Sequence, residues 1–234
     1  MSGTVKRRYD STRRDEQARE TRERIIRGAL DLFVAQGYGR TTIADVARAA
    51  AVSPETVYAT FGNKATLLRQ AWFLNFRGDE TEMPLYDRPQ MQEILAIPDL
   101  VERTRAHAAF VTANNRRSSP LLRAMEGAAA SEPGAADMLA EWAERRLDVA
   151  TKYAHAAAET GQLAVGEHEC RDILYATMDG ALWQRLVEQR GWSDQRYAAW
   201  LTAARNSRSC CSGRTPSKPG TSWPPSTAKT VGTA

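Results

Sequence analysis

No apolar run in this chain approaches the roughly 18 residues that a membrane-spanning helix needs, and the N-terminus has no apolar signal segment. The expectation is a protein that neither enters a bilayer nor is exported, and that works in the cytoplasm. Cysteine is scarce. Of the three, Cys210 and Cys211 are adjacent in a polar stretch and Cys170 stands alone, which excludes a disulfide framework or a zinc spacing and leaves Cys170 as a buried thiol. Histidine is equally scarce, and His107, His155 and His168 are too scattered to make a metal site, so neither metal nor cofactor is expected. Catalytic signatures are missing too: there is no GxSxG, HExxH, Walker loop or paired CxxC. Gly37-Tyr38-Gly39 ends a helical pattern where a dinucleotide fingerprint would follow a strand, and His168-Glu169-Cys170 is too short for a metal motif. The chain is not expected to be an enzyme.

What is present is charge, unevenly spread. Residues 1–64 hold 12 Lys/Arg against 8 Asp/Glu, residues 65–205 hold 16 against 20, and residues 206–234 hold 4 against none. A basic N-terminal module beside an acidic body fits a protein whose one end meets a polyphosphate. Periodicity is helical throughout. Residues 1–12, with Lys6, Arg7 and Arg8, read as a disordered basic arm. Ile26, Ala29, Leu30 and Phe33 put one apolar face on a helix from about Arg13 to Gln36, which Gly37 is placed to end.

The stretch Thr41 to Lys64 is the most informative. Ile43, Val46, Ala47 and Ala50 recur at i, i+3, i+4 and i+7, one face of a short helix that Thr41 or Thr42 can cap. Ser53-Pro54 then reads as an N-cap followed by proline at the first helical position, where its missing N–H costs nothing. Val57 and Phe61 face inward on this second helix, leaving Glu55, Thr56, Tyr58 and Ala59 free to enter a major groove.

These residues resemble the DNA-binding segment of the TetR family of bacterial transcriptional repressors: Thr41, Thr42, Ile43, Val46, Ala47, Val52 and Ser53, then Thr56-Val57-Tyr58, Phe61 and Asn63-Lys64, with Ala29, Leu30, Phe33, Gly37 and Tyr38 upstream. Two positions depart from the family pattern. Ala51 stands where glycine is usual, and a left-handed backbone at alanine costs about 1 kcal/mol. Thr60 stands where an aromatic residue or histidine is common.

The resemblance implies an all-α chain, with a three-helix helix-turn-helix domain over residues 13–63 and a regulatory, ligand-binding and dimerisation body over 64–205. It implies phosphate contacts from Thr42, Ser53, Tyr58 and Lys64, hydroxyls and an ammonium near helix starts. Pro54, Glu55, Thr56 and Ala59 are the candidates for base edges: Thr56 or Ala59 against a thymine methyl, Glu55 accepting from a cytosine amino group. The bland alternative for each is a cap or an exposed side chain. Within the body, Phe110, Met125, Met138, Trp142, Tyr153 and Met178 are candidate walls for a small, largely apolar effector, although aromatics and methionines at this spacing also make ordinary core. The implied partners are a palindromic double-stranded operator, a second copy of the chain and that effector. A constitutive or architectural DNA-binding protein without a small ligand is the alternative.

The rest of the body reads as helices. Lys64 to Arg77 is apolar on nearly all sides; a proline-bearing loop over 78–98 holds one short helix near Gln90 to Ala96. Helices follow from Asp99 to about Arg116, from Ser118-Ser119-Pro120 to about Ser131, from Ala135 to Thr160, from Glu167 to Arg190 and from Ser193 to about Arg205. Residues 206–234, rich in Ser, Thr, Pro and Gly, cannot build a core and read as a disordered tail.

Overall fold

The computed structural model of the chain describes residues 4–77 and 83–206, with side chains from residue 13 onward. Ten α-helices, with two short non-α turns of helix and no strand, occur among the described residues. Helix α1 (Thr4–Gln36) buries Ile25, Ile26, Ala29 and Phe33 along one face and stops at Gly37, whose φ of 88° is the left-handed terminator that favours glycine. The backbone is helical from Thr4, where a disordered arm through residue 12 is expected from composition. No Gly or Pro lies in residues 4–27, so nothing in the local sequence stops the helix from extending upstream.

Helices α2 (Ile43–Ala49) and α3 (Pro54–Phe61) complete the N-terminal trio, and α4 (Lys64–Arg77) follows after one turn. Leu67, Leu68, Ala71 and Trp72 of α4 are fully or almost fully buried, as a helix apolar on nearly all sides requires. They are buried because α4 packs on α1 on one flank and on α6 (Leu100–Glu126) and α7 (Pro133–Ala158) on the other. One apolar cluster therefore runs without a break from Ile25 and Val57 through Leu67 and Trp72 to Met125 and Met138. A second cluster joins α5 (Pro89–Leu95), α7 and α8 (Glu167–Thr177); a third joins α6, α9 (Gly180–Trp183) and α10 (Asp194–Arg205).

Two boundaries differ from those read in sequence. Helix α6 runs straight through Pro120, where two helices are expected. Proline removes the N–H that would bond the Arg116 carbonyl, but the Asn75 amide of α4 donates to the neighbouring Arg117 carbonyl at 2.9 Å and the Ser118 hydroxyl donates to the Asn114 carbonyl at 2.9 Å, which ties this turn to α4 and to the turn before it. With that turn held to α4 and Leu121 and Leu122 buried, packing overrides the local signal. Conversely, the expected single helix from Glu167 to Arg190 breaks at Asp179, whose extended backbone and side chain cap the Ala181 N–H at 2.7 Å, after which α9 passes into a π turn over Gln184–Glu188. A side chain at Gly180 would begin 3.1 Å from the Leu122 side chain, so glycine lets the break sit tightly on α6. The tail expected from residue 206 lies, beyond Asn206, outside the described residues, as do Cys210 and Cys211; Cys170 is buried.

The body carries one costly polar cluster. Arg205, at the end of α10, is wholly buried; its Nη1 meets His107 Nδ1 at 3.1 Å and its Nε donates to the Thr177 hydroxyl at 2.9 Å. Tyr153 stacks on the His107 ring, centroids 4.1 Å apart. Burial, and secondly the Arg205 guanidinium, push His107 well below the ordinary histidine value, so the ring stays neutral and accepts from the arginine. In the unfolded chain His107 gains its proton as the pH falls through about 6.5, whereas in the folded chain it does not. Stability from this group is therefore complete above pH 6.5 and is lost on acidification at up to about 1.4 kcal/mol per pH unit. Urea titrations between pH 7 and 5 should show the parent losing stability faster than His107→Gln, and equal slopes would show that His107 does not set the acid limit.

Candidate nucleic-acid interface and effector cavity

The two short helices are fixed by side-chain caps. Thr42 accepts from the Asp45 N–H while Asp45 accepts from the Thr42 N–H, a reciprocal capping box, and the Thr42 hydroxyl also donates to Asp45 at 2.6 Å. These bonds, those from Thr42 foremost, hold the Asp45 carboxyl below its usual range. Ser53 caps α3 by accepting from the Thr56 N–H at 3.2 Å, with Pro54 at the first helical position. The turn between them places Ala51 at φ 52°, the left-handed backbone that glycine normally supplies. Alanine thus carries the same turn, at a strain of about 1 kcal/mol. Ala51→Gly relieves that strain and offsets part of it through a freer unfolded chain, so it should raise stability by about 0.5 kcal/mol. A denaturant midpoint unchanged or lowered would contradict this.

With Val57 and Phe61 buried against α1 and α2, the outer face of α3 is presented to solvent. Glu55, Ala59 and Tyr58 are exposed, Tyr58 by 53%, while Pro54 and Thr56 are half-buried. Thr42 and Ser53 are exposed at the two helix starts, and their hydroxyls already serve the caps described above. Backbone and Ser53 hydrogen bonds hold the Glu55 carboxyl below its usual range, leaving a formal negative charge at the lip of the reading helix.

Lys64 is placed differently from the other seven. Its side chain is only 22% exposed, and its Nζ donates to the Tyr38 carbonyl at 3.2 Å, lies 3.5 Å from Glu132 and stands 4.2 Å over the Tyr38 ring. The ammonium therefore bridges the N-terminal helices and the loop before α7. Burial and Glu132 push the Tyr38 phenol up to about 12, so it stays neutral. A Cβ at Gly134 would fall 2.8 Å from that of Ala65 and 3.1 Å from the Tyr38 hydroxyl, which makes this joint a close backbone contact. Sequence offers no hint of the Glu132 pairing, because the partners are far apart in the chain.

Above the joint, α4, α6 and α7 enclose a cavity of about 230 Å³. Its walls include Trp72, Phe73 and Phe76 of α4, Phe110 of α6, Trp142 of α7 and Met178. Trp142 stands edge-on to both Trp72 (5.0 Å) and Phe76 (4.3 Å). Of the six candidate wall residues, Phe110, Trp142 and Met178 line the cavity. Met125 and Met138 sit in the core shared by α4, α6 and α7, and Tyr153 is stacked on His107. The polar part of the lining, Asn114, Asn115, Arg145, Arg146, Asp148 and Lys152, is absent from the sequence reading. A usable signal existed: Trp142, Arg145 or Arg146, Val149 and Lys152 recur at helical spacing on α7. Among the described residues no cluster of His, Cys, Asp and Glu can hold a metal ion, and no helix is long and apolar enough to cross a membrane.

An outward-facing second helix of a helix-turn-helix, mounted on a larger helical body, is the arrangement by which a protein presents a helix to a DNA groove. Residues 25–71 match the family model described as bacterial regulatory proteins, tetR family. The transcriptional regulator TcmR of Streptomyces glaucescens is 45% identical over 51 residues, 22% of this chain and 23% of that protein; TtgR of Pseudomonas putida is 44% identical over 57 residues, 24% and 27%. The aligned part thus spans about a quarter of the length of these curated relatives. The body is matched by fold: a SmeT–triclosan complex superposes with a TM-score of 0.59 at 22% identity, covering 88% of this chain and 99% of that one. Residues 25–71 thus carry a DNA-binding segment of the tetR type, and the chain as a whole shares the fold of solved proteins described as TetR-family regulators.

Proposed function

We propose that this chain is a repressor that binds a palindromic operator as a dimer and leaves it when a small, largely apolar molecule enters the cavity. The observation that carries the reading is the position of α4, which begins at the Lys64 joint beneath the reading helices and contributes Trp72 and Phe76 to the cavity wall. One rigid helix thus links the two sites. A ligand shifts DNA affinity only by its differential affinity for two states, so it must favour an α4 tilt that separates the paired reading heads from the groove spacing. Coupling of about 1–3 kcal/mol, roughly 5- to 150-fold in operator affinity, is the ordinary range. Lys64, with its neighbours Tyr38 and Glu132, is the lever arm in this reading, besides any phosphate it meets.

One helix-turn-helix reads half a site, and a two-fold pair reads half-sites about 34 Å apart. The dimer surface proposed is that of α8 to α10, where Ile173, Leu182, Leu186, Val187 and Trp200 keep part of their apolar surface in solvent. Ala176 and Ala181 are accessible for close approach; Gly180 is spent against Leu122 of its own chain. Mobility-shift titrations on operator selected from genomic DNA should show affinity falling steeply with salt and a compact palindrome. Thr56→Ala should change the preference at one base position, by about 1–3 kcal/mol if Thr56 touches that base. Base preferences identical to the parent would remove Thr56 from the reading set.

A screen of apolar metabolites and drugs separates this reading from a constitutive regulator. Release of operator by an active compound, abolished in Trp142→Ala, is the expected result. A tightly binding protein that no compound releases would favour the constitutive alternative. Sedimentation giving only monomer, even with operator present, would overturn the dimer.

A further inference from the structure

The charged part of the cavity lining is predominantly positive. Arg145, Arg146 and Lys152 project from α7 against a single carboxylate, Asp148, and Asp148 is already held by Lys152 at 2.9 Å. Arg145 is likewise engaged, with Glu141 at 2.7 Å and over the Phe73 ring at 5.1 Å. Arg146 differs. Its side chain is 10% exposed, its Nη1 meets Asp179 at 2.7 Å, and its guanidinium lies 4.4 Å over the Tyr175 ring, so the group is immobilised between α8 and the break that follows it. Its Nε–H, buried, has no hydrogen-bond partner in the protein. A buried guanidinium donor without an acceptor is costly, and an acceptor brought by a ligand removes that cost.

Resting on the reading of this cavity as the effector site, we propose that the effector is an aromatic carboxylate, its rings against Trp142, Trp72 and Phe76 and its carboxylate accepting from Arg146. A charge-assisted bond to a planar guanidinium is stronger than one between neutral groups. A cationic ligand finds no unpaired carboxylate in the lining and meets three positive side chains. Because Arg146 also holds Asp179 through Nη1, a ligand carboxylate on Nε shares the guanidinium's charge with the residue that caps α9, which ties occupancy of the cavity to the start of the proposed dimer surface.

Calorimetric titration of the full chain with naphthoate, methylnaphthalene and naphthylmethyl-trimethylammonium tests this, because the three share a ring body and differ in charge. Naphthoate should bind about tenfold more tightly than the other two. In Arg146→Met that preference should vanish while methylnaphthalene binds as before. Asp179→Asn, which keeps the cap but frees the guanidinium, should tighten naphthoate alone, a gain that damage to the fold does not produce. If Arg146→Met proves misfolded by circular dichroism, the Asp179 variant decides, and naphthoate affinity equal to or below the parent's would overturn the proposal. A preference absent in the parent, or persisting in Arg146→Met, would also overturn it; binding of all three alike, lost in Trp142→Ala, would leave the cavity reading standing. Failure of all three to bind would overturn both.

Discussion

Burial of helix α4 on both flanks is the constraint on which the molecule depends. Leu67, Leu68, Ala71 and Trp72 are withdrawn from water by α1 on one side and by α6 and α7 on the other, so the reading helices and the body share one continuous apolar cluster. Each such side chain contributes about 1.5–3 kcal/mol on burial, which makes independent movement of the two parts expensive. A change in the angle of the head therefore involves α4, and with it the contact of α1 on α6. In the proposed function, that shared burial is what couples a cavity walled by Trp72 and Phe76 to the helix-turn-helix above Lys64.

Polar groups specify where the apolar surfaces leave freedom. Thr42 with Asp45, and Ser53 with the Thr56 N–H, start the two short helices at defined residues, which helices of seven and eight residues need because they cannot stabilise themselves by length. The Lys64, Tyr38 and Glu132 joint sets the head against the loop before α7. Deeper in the body, Arg205 reaches His107 and Thr177, and so fastens α10 to α6 and α8. A buried cation of this kind adds specificity of packing more than stability, since desolvation offsets most of the attraction.

Asp179 lies where several of these demands meet. It breaks the chain between α8 and α9, caps α9, and pairs with Arg146 beneath the cavity. Gly180 then packs on Leu122 with no room for a side chain to be added without movement. The break and the cavity are thus one structural unit, although they belong to different helices.

The sequence by itself determined the all-α class, the helix-turn-helix and the residues facing out from it. These depend on local physics: caps within three residues, proline at a helix start, and apolar spacing on one short face. It also identified Gly37 as a stop and α4 as a helix buried all round. Only tertiary structure decided that α6 passes through Pro120, because the Asn75 amide that bonds the Arg117 carbonyl, and the neighbours that bury Leu121 and Leu122, come from other helices. It decided, too, that Lys64 pairs with Glu132, that Met125 and Met138 are core while Phe110, Trp142 and Met178 line a cavity, and that Arg146 is left with an unanswered donor. Periodicity tells which side of a helix is apolar, but whether that side meets a neighbour or an empty space depends on how far apart the helices are held.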